Sequence, residues 1–476
     1  MNRVDFQDTK IVATIGPASD TYEALLELVK EGVDVFRLNF SHGSHEEHKE
    51  VINKIKYINE KYRIHIGILA DLQGPKLRVG QIMENTILKE GDVIEFTNEK
   101  HEGDSKTAYM NYKDFAKDVS PGELVLVDDG KIQLEVLETD GVGRVKLRTK
   151  FGGPFKSNKG VNLPQTKVSL PSLTEKDLKD LEFILTQPVN WIALSFVRKA
   201  DDIIDLQKRI DEAGHSAKTI AKIEKPEAIE QIDEIIKYSN AIMIARGDLG
   251  IEVPIEKLPG MQKDIIRRCL RRARPVIVAT QMMESMITNP SPSRAEVTDV
   301  ANAVLDGADA VMLSGETAVG RHPGLVVQAM NKIIAEAEKH YSIRNVHHST
   351  SDKSTTFYSD VLCFNSAAVS ESINAEAIIG MTASGYTAFK ISSCRPKSKI
   401  YIFSESREML STLNLVWGVR CFYYGKFTTT DETIQDVNNI LKNKGLVRTG
   451  DMVVNTGSMP IHSRSRTNML KLTRIE

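Results

Sequence analysis

WIALSFVRKADDIIDLQKRIDEAGHSAKTIAKIE, residues 191–224, reads as one complete strand–helix–strand unit. WIALSF (191–196) and TIAKIE (219–224) are short apolar runs with little polar alternation, as expected of strands buried on both faces of a parallel sheet. Between them, KADDIIDLQKRIDEAG (199–214) spaces its apolar residues at a helical period. The same kind of run recurs outward in both directions: KIVATIG (10–16), VDVFRLNF (33–40), IGILADL (66–72), AIMIAR (241–246), PVIVAT (275–280) and AVMLSG (310–315). With the first two that makes eight, and helical segments such as TYEALLELVKEG (21–32) lie between many of them. Eight β/α units predict an α/β fold of the (β/α)8 TIM-barrel type, with its chemistry at the C-terminal ends of the strands.

The spacing breaks once, between the third and fourth runs. Residues 75–166 carry short alternating runs (DVIEFT, ELVLVDD, IQLEVLE, RVKLRT) divided by Gly, Asp and Asn. They predict a small β-barrel domain inserted after strand three, placed to act as a lid. The barrel then comprises 1–74 and 167–340. HHSTSDKSTT follows as a polar linker, and 341–476 brings a second αβ set: AEAIIGMTA (375–383), KIYIFSE (399–405), VRCFYYG (419–425) and DMVVNTG (451–457). This predicts a separate C-terminal three-layer αβα domain.

The composition agrees. A length of 476 residues suits two to four domains of about 100–200 residues each. Lys plus Arg is 62 and Asp plus Glu is 64, so the net charge is 62 − 64 = −2, which gives no reason to expect a nucleic-acid or membrane-surface partner. The cysteines, Cys269, Cys363, Cys394 and Cys421, form no CxxC and predict neither a zinc ribbon nor a disulfide framework. MNRVDFQDTK lacks the apolar core of a signal peptide, and no run approaches the roughly 20 apolar residues of a membrane helix. A cytoplasmic location is expected.

Polar groups gather at the predicted strand ends. Arg37, Asn39 and Ser41 are spaced to face one way in an extended chain, as are Lys222 and Glu224. Asp71 ends the third run, Asp248 lies just past the sixth, Thr280 ends the seventh, and Ser314 and Glu316 follow the eighth. Glu224 and Asp248 are hard oxygen ligands suited to Mg²⁺ or Mn²⁺ completed by water and substrate. Gly247 lets backbone N–H groups approach an anion, and Arg37 and Arg78 add cations suited to phosphate. A divalent metal, a lysine and arginines converging on one point is what phosphoryl transfer requires. No GxxxxGK[ST] loop or GxGxxG fingerprint occurs, and His42, His45 and His48 fit a solvated helix start better than a zinc site.

KIVATIGPAS, FRLNFSHG, AKIEKPEAI, ARGDLGIEVP, ATQMMESM and SRAEVTDVANAVLDGADAVMLSGETA together resemble the pyruvate kinase family, in order and nearly end to end. The resemblance implies transfer of a phosphoryl group from phosphoenolpyruvate (PEP) to ADP, giving ATP and, after protonation of the enolate, pyruvate. It implies that Glu224 and Asp248 hold the divalent ion, that Lys222 stabilises the transferring phosphoryl group, and that Gly247 and Thr280 hold the substrate carboxylate. Arg37 matches a phosphate-binding arginine, while Asn39, His42, Arg78 and Lys159 match nucleotide and phosphate contacts. A second Mg²⁺ entering with the nucleotide and a homotetrameric assembly are implied as well.

Three positions depart from the family pattern. Asn39, Ser41 and Asp71 match potassium ligands, but Leu72 and Lys76 stand where potassium-dependent members carry Thr and Glu. An ammonium at Lys76 supplies the charge that K⁺ otherwise provides, so activity without K⁺ is expected. Val319 stands where many members have Lys, which directs the proton path to a water near Thr280. TASGYT (382–387) resembles the family's sugar-phosphate loop, with Thr382, Ser384, Gly385 and Thr387 as candidate contacts to a phosphorylated effector. Tyr386 occupies a place often basic there, and Ser463, Arg464 and Arg466 are candidates to compensate.

Two other readings stand beside this one. A metal-dependent aldolase or lyase would use Glu224 and Asp248 but has no evident use for the lid, Lys159 or the arginines. A metabolite sensor is expected to have lost Lys222 or a metal carboxylate, and this chain keeps all three. IIRRCLRRARP (265–275) reads as a solvated basic helix, Trp191 and Trp417 as packing residues, and Met282, Met283 and Met286 as core.

Overall fold

The computed structural model describes residues 7–340, 354–426, 429–459 and 465–476. The chain begins with three barrel strands, β1 (Lys10–Thr14), β2 (Val35–Asn39) and β3 (Gly67–Asp71). It leaves the barrel for β4 (Ile87–Leu88), β5 (Val93–Thr97), β6 (Thr107–Tyr109), β7 (Leu124–Val127), β8 (Ile132–Thr139), β9 (Arg144–Phe151), β10 (Gly153–Pro154) and β11 (Val161–Asn162). It returns with β12 (Trp191–Leu194), β13 (Lys218–Ile223), β14 (Ala241–Ala245), β15 (Val276–Ala279) and β16 (Ala310–Leu313). These five and the first three close in the order β1-β16-β15-β14-β13-β12-β3-β2, all parallel.

The barrel strands lack a polar face because they have no solvent face to cover. One set of side chains, among them Val12, Leu69, Trp191, Met243 and Ile277, fills the interior. The other set packs outward under the helices in a second, larger core that includes Met282, Met283 and Met286. The lid strands obey a different rule. β8 and β9 alternate buried and exposed positions, because one face packs on Ile94, Phe96 and Phe155 and the other meets water. The eight lid strands join the barrel through bonded hinges: Gly74 N–H donates to Asp177 Oδ1 at 3.0 Å, and Asn162 Nδ2 to Glu252 Oε1 at 2.8 Å, where Lys225 Nζ also lies at 2.8 Å. β4 and β10 pair beside the six-stranded sheet β11-β7-β8-β9-β5-β6.

The C-terminal sheet runs β19 (Val419–Tyr423), β18 (Lys399–Ser404), β17 (Ala377–Met381), β20 (Met452–Gly457) and β21 (Met469–Arg474). Apolar clusters cover both of its faces, which gives the three layers expected. β21, antiparallel to β20, is an addition to the four strands that the sequence suggested. The linker HHSTSDKSTT falls mostly outside the described residues. The domain docks on the N-terminal end of the barrel, where Leu415 and Phe389 reach the barrel-interior cluster. Trp191 Nε1 donates to the Thr412 carbonyl at 3.1 Å and Asn414 Nδ2 to the Asp34 carbonyl at 2.8 Å. No helix among the described residues is long and apolar enough to cross a membrane.

Candidate active site

Lys222, near the C-terminal end of β13, is buried with its ammonium on three oxygens: Ser195 Oγ at 2.6 Å, Glu224 Oε1 at 3.0 Å and Asp71 Oδ1 at 3.2 Å. Asp71, the last residue of β3, gives its other oxygen to Arg37 Nε at 2.7 Å, and Arg37 Nη1 donates to Thr14 Oγ1 at 2.9 Å. The network thus ties together the ends of β1, β2, β3, β12 and β13. Burial alone would push the Asp71 carboxyl up, but Lys222 and then Arg37 outweigh it and hold it below the usual carboxylate range. Burial works against the Lys222 ammonium, yet Asp71 and Glu224 hold its pKa above the ordinary lysine value. Lys222 therefore stays charged at neutral pH.

Glu224 follows β13 and Asp248 lies in the short helix Arg246–Glu252 after β14. Glu224 Oε2 accepts the Phe196 N–H at 2.7 Å. Burial pushes the Glu224 carboxyl up, and the Asp248 charge pushes it the same way against the pull of Lys222. Two carboxylates close enough to repel form a donor set that fits a hard divalent cation. Among the described residues no group of three or more His, Cys, Asp or Glu side chains is arranged for a metal, so water and substrate would complete the coordination. The three histidines do not converge: His45 Nε2 lies 2.8 Å from Asp180 Oδ1, and His48 Nε2 lies 3.0 Å from the His42 carbonyl.

Thr280 carries a backbone φ of +70°, a left-handed conformation that costs a β-branched residue about 1–3 kcal/mol. Its hydroxyl accepts the Gly247 N–H at 2.6 Å and donates to the Ala279 carbonyl at 2.5 Å. Gly247 and Thr280 therefore arrive as one linked pair, and a Cβ at Gly247 would meet Thr280 Oγ1 at 3.3 Å. The conformation is held from behind by Arg246. Its Nη2 donates to the Thr280 carbonyl at 2.9 Å, and its two terminal nitrogens each meet a carboxylate oxygen of Asp299 at 2.7 Å. Sequence reading passed over Arg246, as it did Ser195 and Thr14. A cation ending the sixth run, two residues before Asp248 in ARGDLG, was the available signal.

Lys76 turns inward, with Nζ 3.4 Å from Asp248 Oδ1. Leu72 is buried and offers only its carbonyl, which accepts the Ser195 hydroxyl at 2.7 Å. Asn39 Oδ1 accepts the Ser41 N–H at 3.2 Å. Burial and then Arg78, Arg37, Lys76 and Lys176 lower the pKa of His42, which marks a rim where four cations converge. Arg78 and Lys159 lie on the lid: Arg78 bridges to Gly160 and donates to the Asn158 carbonyl at 2.9 Å, and Lys159 Nζ lies 2.8 Å from Asp128.

The TASGYT loop precedes the helix Tyr386–Ser393. Gly385 takes a φ of +82° and donates its N–H to Thr382 Oγ1 at 2.9 Å, and Ser384 is exposed. Thr387 is buried and bonded to Thr467 at 2.7 Å, so its hydroxyl faces inward. The Tyr386 hydroxyl donates to Asp360. Ser463 and Arg464 lie outside the described residues, and the Arg466 guanidinium donates to the Thr355 carbonyl. Val319 is exposed.

A family model described as pyruvate kinase, barrel domain, matches residues 6–327, and one described as pyruvate kinase, alpha/beta domain, matches residues 360–473. The pyruvate kinase of Corynebacterium glutamicum is 42% identical over 463 residues, covering 97% of this chain and 96% of that one. Pyruvate kinase 2 of a Synechocystis species is 41% identical over 468 residues, covering 98% of this chain and 78% of that one. The crystal structure of a pyruvate kinase from Cryptosporidium parvum superposes with a TM-score of 0.91 at 33% identity, covering 99% of this chain and 96% of that one.

Proposed function

The chain belongs to the pyruvate kinase family, and from that premise we propose that it runs the family's reaction without K⁺, with its residues dividing the work as follows. The reaction moves the phosphoryl group of PEP to ADP. An ADP β-phosphate oxygen forms the new bond to phosphorus, the enol P–O bond breaks, and the enolate takes a proton to become pyruvate. Lys222 carries this reading: a buried ammonium, kept charged by Asp71 and Glu224, sits where negative charge passes from the phosphoryl group to the enolate oxygen. Arg37, clamped by Asp71 and Thr14, orients the PEP phosphate. Glu224 and Asp248 would hold Mg²⁺ or Mn²⁺, which would supply further positive charge to the reacting oxygens.

Thr280 and Gly247 orient the substrate carboxylate, and Thr280 positions a water for proton delivery. Its hydroxyl already accepts from Gly247 and donates to the Ala279 carbonyl, so it serves better as an anchor than as the acid itself. Asn39, His42, Arg78 and Lys159 bind the nucleotide phosphates, with the last two brought in by the lid. Lys76 takes over the charge of a monovalent cation. Its ammonium beside Asp248, and a buried Leu72 that has no side-chain oxygen to offer a cation, support that role.

The domain limits of 74/75, 166/167 and 340/341, a homotetramer, a cytoplasmic location and regulation by a phosphorylated metabolite at 382–387 complete the proposal. A titration with sugar phosphates that shifts the PEP affinity supports the last of these, and a flat titration contradicts it. The metal assignment is tested with Glu224→Gln. Weaker Mn²⁺ binding, read by electron paramagnetic resonance, is expected together with lost turnover. Unaltered Mn²⁺ binding contradicts the assignment.

A further inference from the structure

The helix Glu175–Ile184 begins where the chain re-enters the barrel from the lid, with Thr174 as its N-cap. Two of its carboxylates, Asp177 and Asp180, are buried about one turn apart, and both divide their oxygens in the same way. Asp177 Oδ2 closes the helix's own cap, accepting the Thr174 N–H at 2.9 Å and the Thr174 hydroxyl at 2.5 Å. Asp177 Oδ1 leaves the helix and accepts the Gly74 N–H at 3.0 Å. Asp180 Oδ2 meets Lys176 Nζ of the same helix at 2.6 Å, while Oδ1 leaves it to meet His45 Nε2 at 2.8 Å. A cap and an i, i+4 ion pair each need only one carboxylate oxygen. The second oxygen of each residue serves something outside the helix.

Gly74 lies on the outgoing stem of the lid and Thr174 ends the returning one, so the single Asp177 carboxylate ties both stems together. Gly74 takes a φ of +68°, and a Cβ there would meet Ser195 Cβ at 2.8 Å and Phe196 Cδ2 at 2.9 Å. The outgoing stem is thereby pressed against the end of β12. Asp180 and Lys176 hold a different segment, the Phe40–His45 loop that follows β2 and carries His42. Lys176 Nζ donates to the Phe40 carbonyl at 2.5 Å at one end of the loop, and Asp180 grips His45 at the other. The sequence reading placed His45 at a solvated helix start. It does begin the helix His45–Tyr62, but its ring is half-buried and stacks on Phe183, with 4.4 Å between ring centres and 6° between planes. His42 is exposed between the two grips.

We propose that Asp177 and Asp180 are positioning residues for the nucleotide: through them one helix sets the Phe40–His45 loop and the two lid stems in a fixed register. The lid then closes on ADP phosphates that the loop has already aligned. This inference rests on the reading of Asn39, His42, Arg78 and Lys159 as nucleotide contacts. Neither carboxylate touches the substrate; Asp180 acts through His45 and Lys176, and Asp177 through the backbone of Gly74 and Thr174. A misplacement of about 1 Å by a residue remote from the chemistry is enough to cost on the order of a hundredfold in rate. Arg37, Lys222, Gly247 and Thr280, which serve the PEP side, take their hydrogen bonds from the strand ends and not from this helix. Loss of the Asp180 grip is therefore felt by ADP before PEP.

The test is steady-state kinetics of the full-length protein with Mg²⁺ in excess. Asp180→Asn keeps the shape of the side chain and removes its charge. KM for ADP should rise about tenfold, as expected for a lost charge-assisted hydrogen bond, while KM for PEP changes by less than about twofold. Asp177→Asn should raise KM for ADP as well and also lower kcat, because Gly74 packs on Ser195, which holds Lys222. An equal rise in both KM values in Asp180→Asn, or no rise in either, overturns the proposal. His42→Ala separates this failure from that of the nucleotide reading. A raised KM for ADP in His42→Ala beside an unchanged one in Asp180→Asn overturns the positioning role alone, and unchanged values in both overturn the nucleotide reading with it. Should Asp177→Asn fail to fold, hydrogen exchange of the wild type decides for that residue. ADP with Mg²⁺ should slow exchange at 40–45, 72–77 and 174–180 together. Slowing at 40–45 that leaves 72–77 and 174–180 unchanged overturns the shared register.

Discussion

Lys76 and Asp248, 172 residues apart in the chain, meet at 3.4 Å between Nζ and Oδ1. Both side chains are about a quarter to a third exposed, so the pair contributes no more than about 1 kcal/mol to stability. Its weight lies in where it puts a positive charge: at the base of the lid, beside a carboxylate proposed to hold the divalent metal.

Lys76→Glu should reverse that charge and, in K⁺-free buffer, lower turnover by at least about tenfold. Added K⁺ should restore a large part of it, with Na⁺ at the same ionic strength doing less. Full activity of the variant without K⁺ would show that Lys76 is not the resident cation.

Thr280→Ala removes the hydroxyl proposed to anchor a proton-delivering water. Exchange of the pyruvate methyl protons with solvent, followed by NMR in the presence of Mg²⁺ and ATP, should slow by at least about tenfold. Unchanged exchange would place the proton path elsewhere.

Arg246 acts through Thr280. Arg246→Ala leaves the Thr280 carbonyl and Asp299 without their partner and should cost about 2 kcal/mol, at the lower end for such pairs because Asp299 is about a third exposed. It should also lower kcat by more than it raises KM for ADP, since Arg246 is bonded to Thr280 and Asp299 and to none of the residues proposed for the nucleotide. Arg246→Lys should recover part of the stability but less of kcat, because it cannot form the two-pronged contact. Equal recovery of both would reduce Arg246 to a packing residue.

Glu338 accepts the Thr9 N–H at 2.7 Å and the Asp8 N–H at 3.3 Å. Burial, with the Asp8 charge second, pushes its carboxyl up to about 7 from an ordinary 4.5. The folded state therefore holds this proton more tightly than the unfolded chain does. The resulting stability is full below about pH 4.5 and is lost as pH rises through 7, with a limit of about 3 kcal/mol. Glu338→Gln should flatten the fall in melting temperature between pH 5 and 8. A variant whose pH profile matches the wild type would contradict this.

The barrel was legible because its strands are buried on both faces and announce themselves as uninterrupted apolar runs. All eight runs became strands, each within two residues of its expected ends. β21 was not, because MLKLTR carries two cations on an edge strand whose residues are largely exposed or half-buried. Lys222, Glu224 and Asp248 could be read from their places at strand ends. Arg246 could not, since its meaning lies in Asp299, 53 residues further on, and no periodicity records such a pairing. Arg274 looked like one of several arginines on a basic helix. That it falls three residues beyond the helix end, under another domain, is a tertiary fact.

The most direct measurement follows pyruvate formation by the purified protein from PEP, ADP and Mg²⁺ in K⁺-free buffer, and again with K⁺ added at constant ionic strength. Comparable turnover in both is the predicted result and supports Lys76 as the built-in cation. Turnover that appears only with K⁺ would contradict that role, and its absence in both would contradict the assignment of Lys222, Glu224 and Asp248 as the working site.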